Sequence, residues 1–381
     1  MRLNESHIKL GILHPEEEVR LTAVQYFANV HSSDPSIMPL VIQSIERFGF
    51  DSAFRMLRDA EQLAQTAPTL EWLFEQLQRP FDTTNVADDN LRFAVGIIIA
   101  RAPIDLLATR TTQLASRQNM PTPLQWAIDQ RLQMASWDAD ACWNALETLG
   151  RQTMRQREVS RNDIRQADLI VEASARHADH LADRVLNLLQ GRYPQKDRRL
   201  IEWLEGDMIK LAGRMKLAAA VPILLEYLHS PEAELADEAT MALGCIGTDA
   251  VVDAIAEDWD DADDEFRLFA TEVLEKVHSD RSVECGLKFL EHEEDLDIAL
   301  ALGHGLLSHF AFAGIETARE LLRAEGEDLS PDHWDLRHHL LAAATIMEQD
   351  FTEYEEWYES AVEDHWGWGD YDSARLADAF R

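Results

Sequence analysis

Ala233-Glu234-Leu235-Ala236-Asp237-Glu238-Ala239-Thr240-Met241-Ala242-Leu243-Gly244-Cys245-Ile246-Gly247 is the stretch whose reading decides the fold. Leu235, Ala239, Ala242, Leu243 and Ile246 follow an i, i+4, i+7, i+8, i+11 spacing, which puts them on one face of an α-helix. Ser230-Pro231 stands just ahead of it. Proline in the first helical turn gives up no hydrogen bond, and a serine before it can cap free N–H groups. Glu232 and Glu234 complement the positive helix start. Ala239, Ala242 and Gly244 are small enough to let a neighbouring helix come close, and Gly247 suits a left-handed helix end.

The same template recurs on both sides. It reads Val19, Ala23, Tyr26, Phe27, Val30, then Met56, Ala60, Leu63, Ala64, Ala67, then Leu91, Val95, Ile98, Ile99, Ala102. Downstream it reads Phe266, Ala270, Val273, Leu274, Val277 and Leu336, Leu340, Ala343, Ala344, Met347, with a degenerate copy at Leu296, Leu300, Gly303, His304, Leu307. Neighbouring starts are about 30 to 40 residues apart, and the interval from Leu91 to Leu235 holds four units of about 36. A second apolar helix follows within most units, as in Ile37, Val41, Ile45, Phe48 and Val221, Leu224, Leu225, Leu228. No alternating strand pattern competes. A chain of 381 residues exceeds one compact core, but stacked repeats extend their core along an axis. The expected fold is all-α, a right-handed α-α superhelix (solenoid) of about nine to ten helix pairs. Its expected organisation is N-terminal repeats over 1–150, an irregular helical joint over 151–216, repeats over 217–350 and a C-terminal cap over 351–381. Within the joint, Asp163–Gln190 reads as one or two longer helices.

The opening stretch, with Asp249-Ala250-Val251 after it, resembles a HEAT-like repeat of the bacterial PBS-lyase type. That family shows an acidic helix start, A-x-x-A-L-G-x-I-G, a small residue and a second apolar helix. The resemblance is specific over about Ala219 to Trp259, looser up to Asp350 and near Val19, and fails over Glu158 to Lys216. It implies partner binding on a curved helical surface and names no ligand. Three enzyme-like relatives are weighed beside it. Deoxyhypusine hydroxylases hold two irons with repeated His-Glu pairs, and this chain has one, His292-Glu293. Phycobilin lyases bind a bilin in the concave face, for which no residue here discriminates. HEAT-like DNA glycosylases need a basic groove, because phosphate contacts dominate DNA affinity.

Charge speaks against that last reading. The formal net charge is −35, from 70 acidic and 35 basic residues. Residues 231–381 hold 40 acids and 9 bases, against 30 and 26 in residues 1–230. The stretch Arg151 to Lys216 is the exception, with 14 bases and 10 acids, and reads as salt-bridged helix faces or as a segment that docks against the acidic half of the same chain. Such an asymmetry fits either an acidic face for a cationic partner or acids that keep a long solenoid in solution.

Two segments are candidate partner-binding sites. One is the acidic turn with Asp258, Trp259, Asp260, Asp261, Asp263 and Asp264, whose alternative role is a solvated loop with helix-start acids. It lacks the glycine turn and distal glutamate of a calcium loop. The other holds Trp366, Trp368, Asp370 and Tyr371, which would either cap the last repeat or grip a basic peptide. Histidines at His177 and His180 with Asp183, and at His333, His338 and His339 near Asp335, have partial metal-ligand spacing but read as surface residues. His304 falls on a core-facing position and reads as a buried, hydrogen-bonded histidine. No nucleophile elbow, phosphate loop or dinucleotide fingerprint is present.

Cys142, Cys245 and Cys285 are far apart and suit a reducing compartment. The N-terminus lacks an apolar signal core, and no apolar run is long enough to cross a bilayer. The expectation is therefore a cytoplasmic, non-catalytic interaction scaffold that binds a basic protein or peptide. It needs no metal or cofactor and engages no nucleic acid or membrane. The alternatives are an enzyme or enzyme accessory on the same superhelix, and a nucleic-acid binder.

Overall fold

A computed structural model describes residues 1–51, 53–156, 159–193, 197–325 and 331–368; at 325, 331, 332 and 362–368 it describes the backbone alone. Among the described residues the chain is all-α, with 22 α-helices and no strand. They are α1 (Glu5–Gly11), α2 (Glu17–Asn29), α3 (Ile37–Phe48), α4 (Phe54–Asp59), α5 (Ala67–Leu77), α6 (Val86–Arg101), α7 (Ile104–Ala108), α8 (Thr111–Ala115), α9 (Thr122–Met134), α10 (Ala139–Thr153) and α11 (Arg161–Ala175). There follow α12 (Ala178–Leu189), α13 (Arg198–Arg214), α14 (Val221–Leu228), α15 (Ala233–Ile246), α16 (Asp249–Asp258), α17 (Asp264–Lys276), α18 (Asp280–Leu290), α19 (Leu296–Ser308), α20 (Phe312–Glu325), α21 (Pro331–Ile346) and α22 (Tyr354–Trp368). No described helix is long and apolar enough to cross a membrane. The chain divides into two compact units, Met1–Gln125 with Gly286–Arg381, and Trp126–Cys285.

In the second unit, α11, α13, α15 and α17 stack side by side, with α10 packed on α11, α12 on α13 and α14 on α15. The stretch that reads as irregular from sequence is built from these same pairs. Between Leu91 and Leu235, helices α9, α11 and α13 supply the three missing repeats. In α13 the template runs Leu200, Leu204, Asp207, Met208, Leu211, all buried. In α11 it runs through Ala167, Ile170, Val171 and Ser174, again all buried. A carboxylate at one core position and a hydroxyl at another hide a regular repeat from a purely apolar reading. Asp163–Gln190 is two helices, broken at Arg176-His177.

In the first unit, the row of stacked helices runs α19, α21, α2, α4, α6. The face of α21 that a simple stack would leave bare is thus covered by α2 as well as by α22. Residues 1–3 are tied to the turn after α19: Leu3 donates its N–H to Phe310 (2.9 Å) and Phe312 donates to Met1 (3.1 Å). Phe310 is fully buried, and its ring meets Tyr26 edge-on at 5.5 Å.

Ion pairs join helices one repeat apart in both units. Arg55 binds Glu18, Arg110 binds Glu71 (2.5 Å), Arg131 binds Glu172 (2.5 Å) and Lys210 binds Asp168 (2.9 Å). The partly exposed pairs among these contribute about 0–1 kcal/mol each, so apolar burial holds the stack and the pairs fix its register. Gly247 ends α15 with φ +61° and donates its N–H to Leu243, the left-handed cap read from the sequence. Gly247→Ala is expected to lower stability by about 1 kcal/mol, the penalty of a Cβ in that conformation, read as a shift in the urea denaturation midpoint.

Candidate functional site

Short connections make neighbouring helices antiparallel. In the second unit they place the described residues ahead of α11, α13, α15 and α17 (154–156 with 159–160, 190–193 with 197, 229–232 and 259–263) along one edge. The last two of these meet directly. His229 stacks on Phe266 with ring centres 4.4 Å apart and planes 16° apart, and its Nδ1 lies 4.0 Å from Asp263.

The acidic turn on this edge splits into two parts. Asp263 caps α17, its Oδ1 accepting the N–H of Phe266 at 2.8 Å. Asp264 opens the same helix and pairs with Arg267. The part before it is different. Trp259 belongs to a 3-10 turn, Trp259–Asp261, and is only 5% exposed. It is therefore a core residue that anchors the turn, and its expected role as a binding surface is corrected: a ring buried against the repeat has no face to offer. The acids flanking it, Glu257, Asp258, Asp260 and Asp261, are all exposed and have no cationic partner among the described residues. Residues 231–285 contain 17 acids and only three bases, Arg267, Lys276 and Arg281. All three bases are engaged internally, with Asp264, Glu272 and Asp253 respectively.

The second predicted segment is only partly placed. Trp366 and Trp368 fall in the last turns of α22, and their side chains lie outside the described residues, as do Asp370 and Tyr371 entirely. The earlier aromatics of α22 pack locally. Trp357 and Tyr354 meet Phe351 at 5.7 and 5.4 Å, and Arg319 lies 5.1 Å above the Phe351 ring. Glu353 joins Arg319 and Arg323, at 3.0 and 2.5 Å.

The histidines do not converge on a metal site: no group of three or more metal-ligating side chains occurs among the described residues. His177 precedes α12 and its Nε2 lies 2.9 Å from the carbonyl of Trp137, while His180 is exposed. His304 is half-buried and shares a 2.9 Å hydrogen bond with His339. His333 is buried where the sequence reading put it on the surface. His292-Glu293 lies in a turn.

One cluster escaped the sequence reading. Lys210 of α13 reaches Asp168 of α11 at 2.9 Å and Glu238 of α15 at 3.2 Å, clamping three repeats. Asp207, one turn earlier on α13, faces this group while only 8% exposed. Burial pushes its carboxyl up to about 7; Lys210 opposes that, and Asp168 and Glu238 add to it. Extending the apolar template through α13 would have found Asp207, because it occupies a core position.

No family model matches the chain, and no curated protein matches it. Among solved structures, a crystal structure of an engineered protein aligns with 95% of this chain and 92% of its own, at 14% identity and a TM-score of 0.32. So slight a likeness carries no argument about function.

Proposed function

We propose that the protein is a non-catalytic interaction module that binds a basic protein or peptide along the acidic edge of its second unit. The supporting observation is the group Glu257, Asp258, Asp260 and Asp261, exposed around a buried Trp259 anchor with no cationic partner among the described residues. Carboxylates left unpaired on a rigid turn form a field that attracts cations and is relieved when one arrives. The HEAT-like resemblance supports the same reading, as that family is mostly one of scaffolds.

The test is titration of the full chain with a Lys/Arg-rich peptide at several salt concentrations. Binding is expected to weaken steeply as salt rises, because exposed charges are screened beyond about 8 Å at physiological ionic strength. The triple change Asp258→Asn, Asp260→Asn, Asp261→Asn is expected to weaken binding about tenfold, roughly 1.4 kcal/mol. All three side chains are exposed, so thermal stability should move little. Salt-independent binding, or full affinity in the triple variant, would remove the acidic edge from the account.

A further inference from the structure

The edge of the second unit that carries the acidic turn is oppositely charged at its two ends. The helices behind it stack in the order α11, α13, α15, α17, so the segments ahead of them follow that order along the edge. Arg155 and Arg161 stand at the approach to α11, and Arg192 and Arg199 at the approach to α13. All four are exposed and have no ion pair among the described residues. Arg155 and Arg199 line one recess, so the two segments adjoin. Two acids stand near them: Asp163, which caps α11 with Ser160, and Asp197. At the other end, Glu232 and Glu234 stand at the start of α15, and Glu257, Asp258, Asp260 and Asp261 precede α17, all exposed. We infer that this edge pairs with the same edge of a second copy of the chain, turned about a two-fold axis so that the arginine end of each meets the acidic end of the other. The inference rests on the proposed reading of the acidic edge as a docking surface and names an occupant for it.

Distance keeps the two ends from neutralising each other within one chain. Packed helices lie about 8–10 Å apart, so the three steps from α11 to α17 separate their segments by about 24–30 Å. The screening length in water is about 8 Å at physiological ionic strength, so charges that far apart scarcely interact. Each end therefore meets its counter-charge only on another molecule. A two-fold axis between the segments of α13 and α15 matches the order along the edge. Arg155 and Arg161 then come opposite Asp258, Asp260 and Asp261, and Arg192 and Arg199 opposite Glu232 and Glu234. One contact made twice satisfies both ends and closes the assembly at two chains.

Residue type fits the same arrangement. The four bases are all arginines, whose planar forks grip carboxylates through two parallel hydrogen bonds. Val159, between Arg155 and Arg161 in sequence, is 48% exposed and adds apolar surface to that end. Arg214 and Lys216 also lack ion pairs, but they stand at the far end of α13, on the opposite edge, and take no part. The net charge of −35 opposes approach from afar, but physiological salt screens it while sparing charges in contact.

The test is sedimentation velocity of the full chain over a range of concentrations, in about 0.15 M and about 1 M salt, where the screening length falls to about 3 Å. A concentration-dependent two-chain species is expected at the lower salt, and its loss at the higher. Arg155→Glu with Arg199→Glu, and Asp260→Lys with Asp261→Lys, should each weaken pairing at least about tenfold, because like charges then meet. Mixing the two variants should restore it, since the acidic ends of one now face the basic ends of the other at both contacts. Restoration also shows that both variants are folded. A chain that stays single at the lower salt, growth beyond two chains, undiminished pairing in either variant, or a mixture no tighter than its components would overturn the inference. Titration with the Lys/Arg-rich peptide keeps it apart from the proposed function. The arginine variant should lose pairing and still bind the peptide. Peptide binding without pairing in the parent chain removes this interface alone, and pairing without peptide binding leaves it standing.

Discussion

Gly213→Ala is expected to destabilise the protein by about 2–3 kcal/mol, whereas Gly206→Ala, seven residues earlier on the same helix, should be neutral or stabilising by up to about 1 kcal/mol. A Cβ at position 213 would lie 2.5 Å from the Cα of Ala242, 2.8 Å from its Cβ and 3.1 Å from its carbonyl oxygen. Carbon atoms in contact rest about 3.5–4.0 Å apart, and the nearest atom here is backbone, so no rotamer change relieves the overlap. Helices α13 and α15 must move apart, which loosens contacts made by Leu211, Ala212 and Leu243, all fully buried. Alanine's better helix propensity offsets about 1 kcal/mol of this at most. At Gly206 the nearest atom to a built Cβ is Leu235 Cδ2 at 3.7 Å, ordinary contact, so only the propensity gain remains. Urea midpoints of the two variants, measured against the parent chain, decide the matter. Equal shifts would mean that close approach at Gly213 does not govern the packing of these two repeats.

Ala242 was legible as a close-packing residue because it sits in an unbroken apolar template beside Gly244 and Gly247. Its partner Gly213 was not, because α13 carries Asp207 on its core face, which interrupts an apolar template there. Arg131 does the same in α9: it is 7% exposed and answered by Glu172 from the next repeat. A polar residue in the core is readable only when its partner is known, and that partner lies about 40 residues away. The packing of α2 on the turn after α19 leaves no local trace either, since Tyr26 and Phe310 are each ordinary core residues until they are seen together. At the candidate site, the sequence identified the acidic turn but could not divide it. Asp263 as a cap and Trp259 as an anchor follow from where α17 starts, at Asp264 inside the charge run.

Asp207→Asn is expected to stabilise the protein above neutral pH, by an amount on the order of 4 kcal/mol at most, and to leave it little changed near pH 4. The carboxyl is raised from an ordinary 3.8 to about 7 by burial, with Asp168 and Glu238 adding to the effect. Between these values the folded chain keeps a proton that the unfolded chain has released. Stability therefore falls as pH rises across that window, and the contribution is lost once pH passes the folded-state value. Asparagine has the shape of the protonated acid and cannot ionise, so the variant should lack this part of the slope. Lys210→Met gives an independent check. Lys210 pulls the carboxyl of Asp207 down, so its removal should move the falling limb to higher pH. It should also lower stability, because Asp168 and Glu238 lose their shared cation. Urea denaturation of the three proteins from pH 4 to pH 9 reads both effects. Parallel stability curves for the parent and Asp207→Asn would show that Asp207 is already ionised in the folded protein. The clamp across α11, α13 and α15 would then hold one more negative charge than the geometry assigns to it.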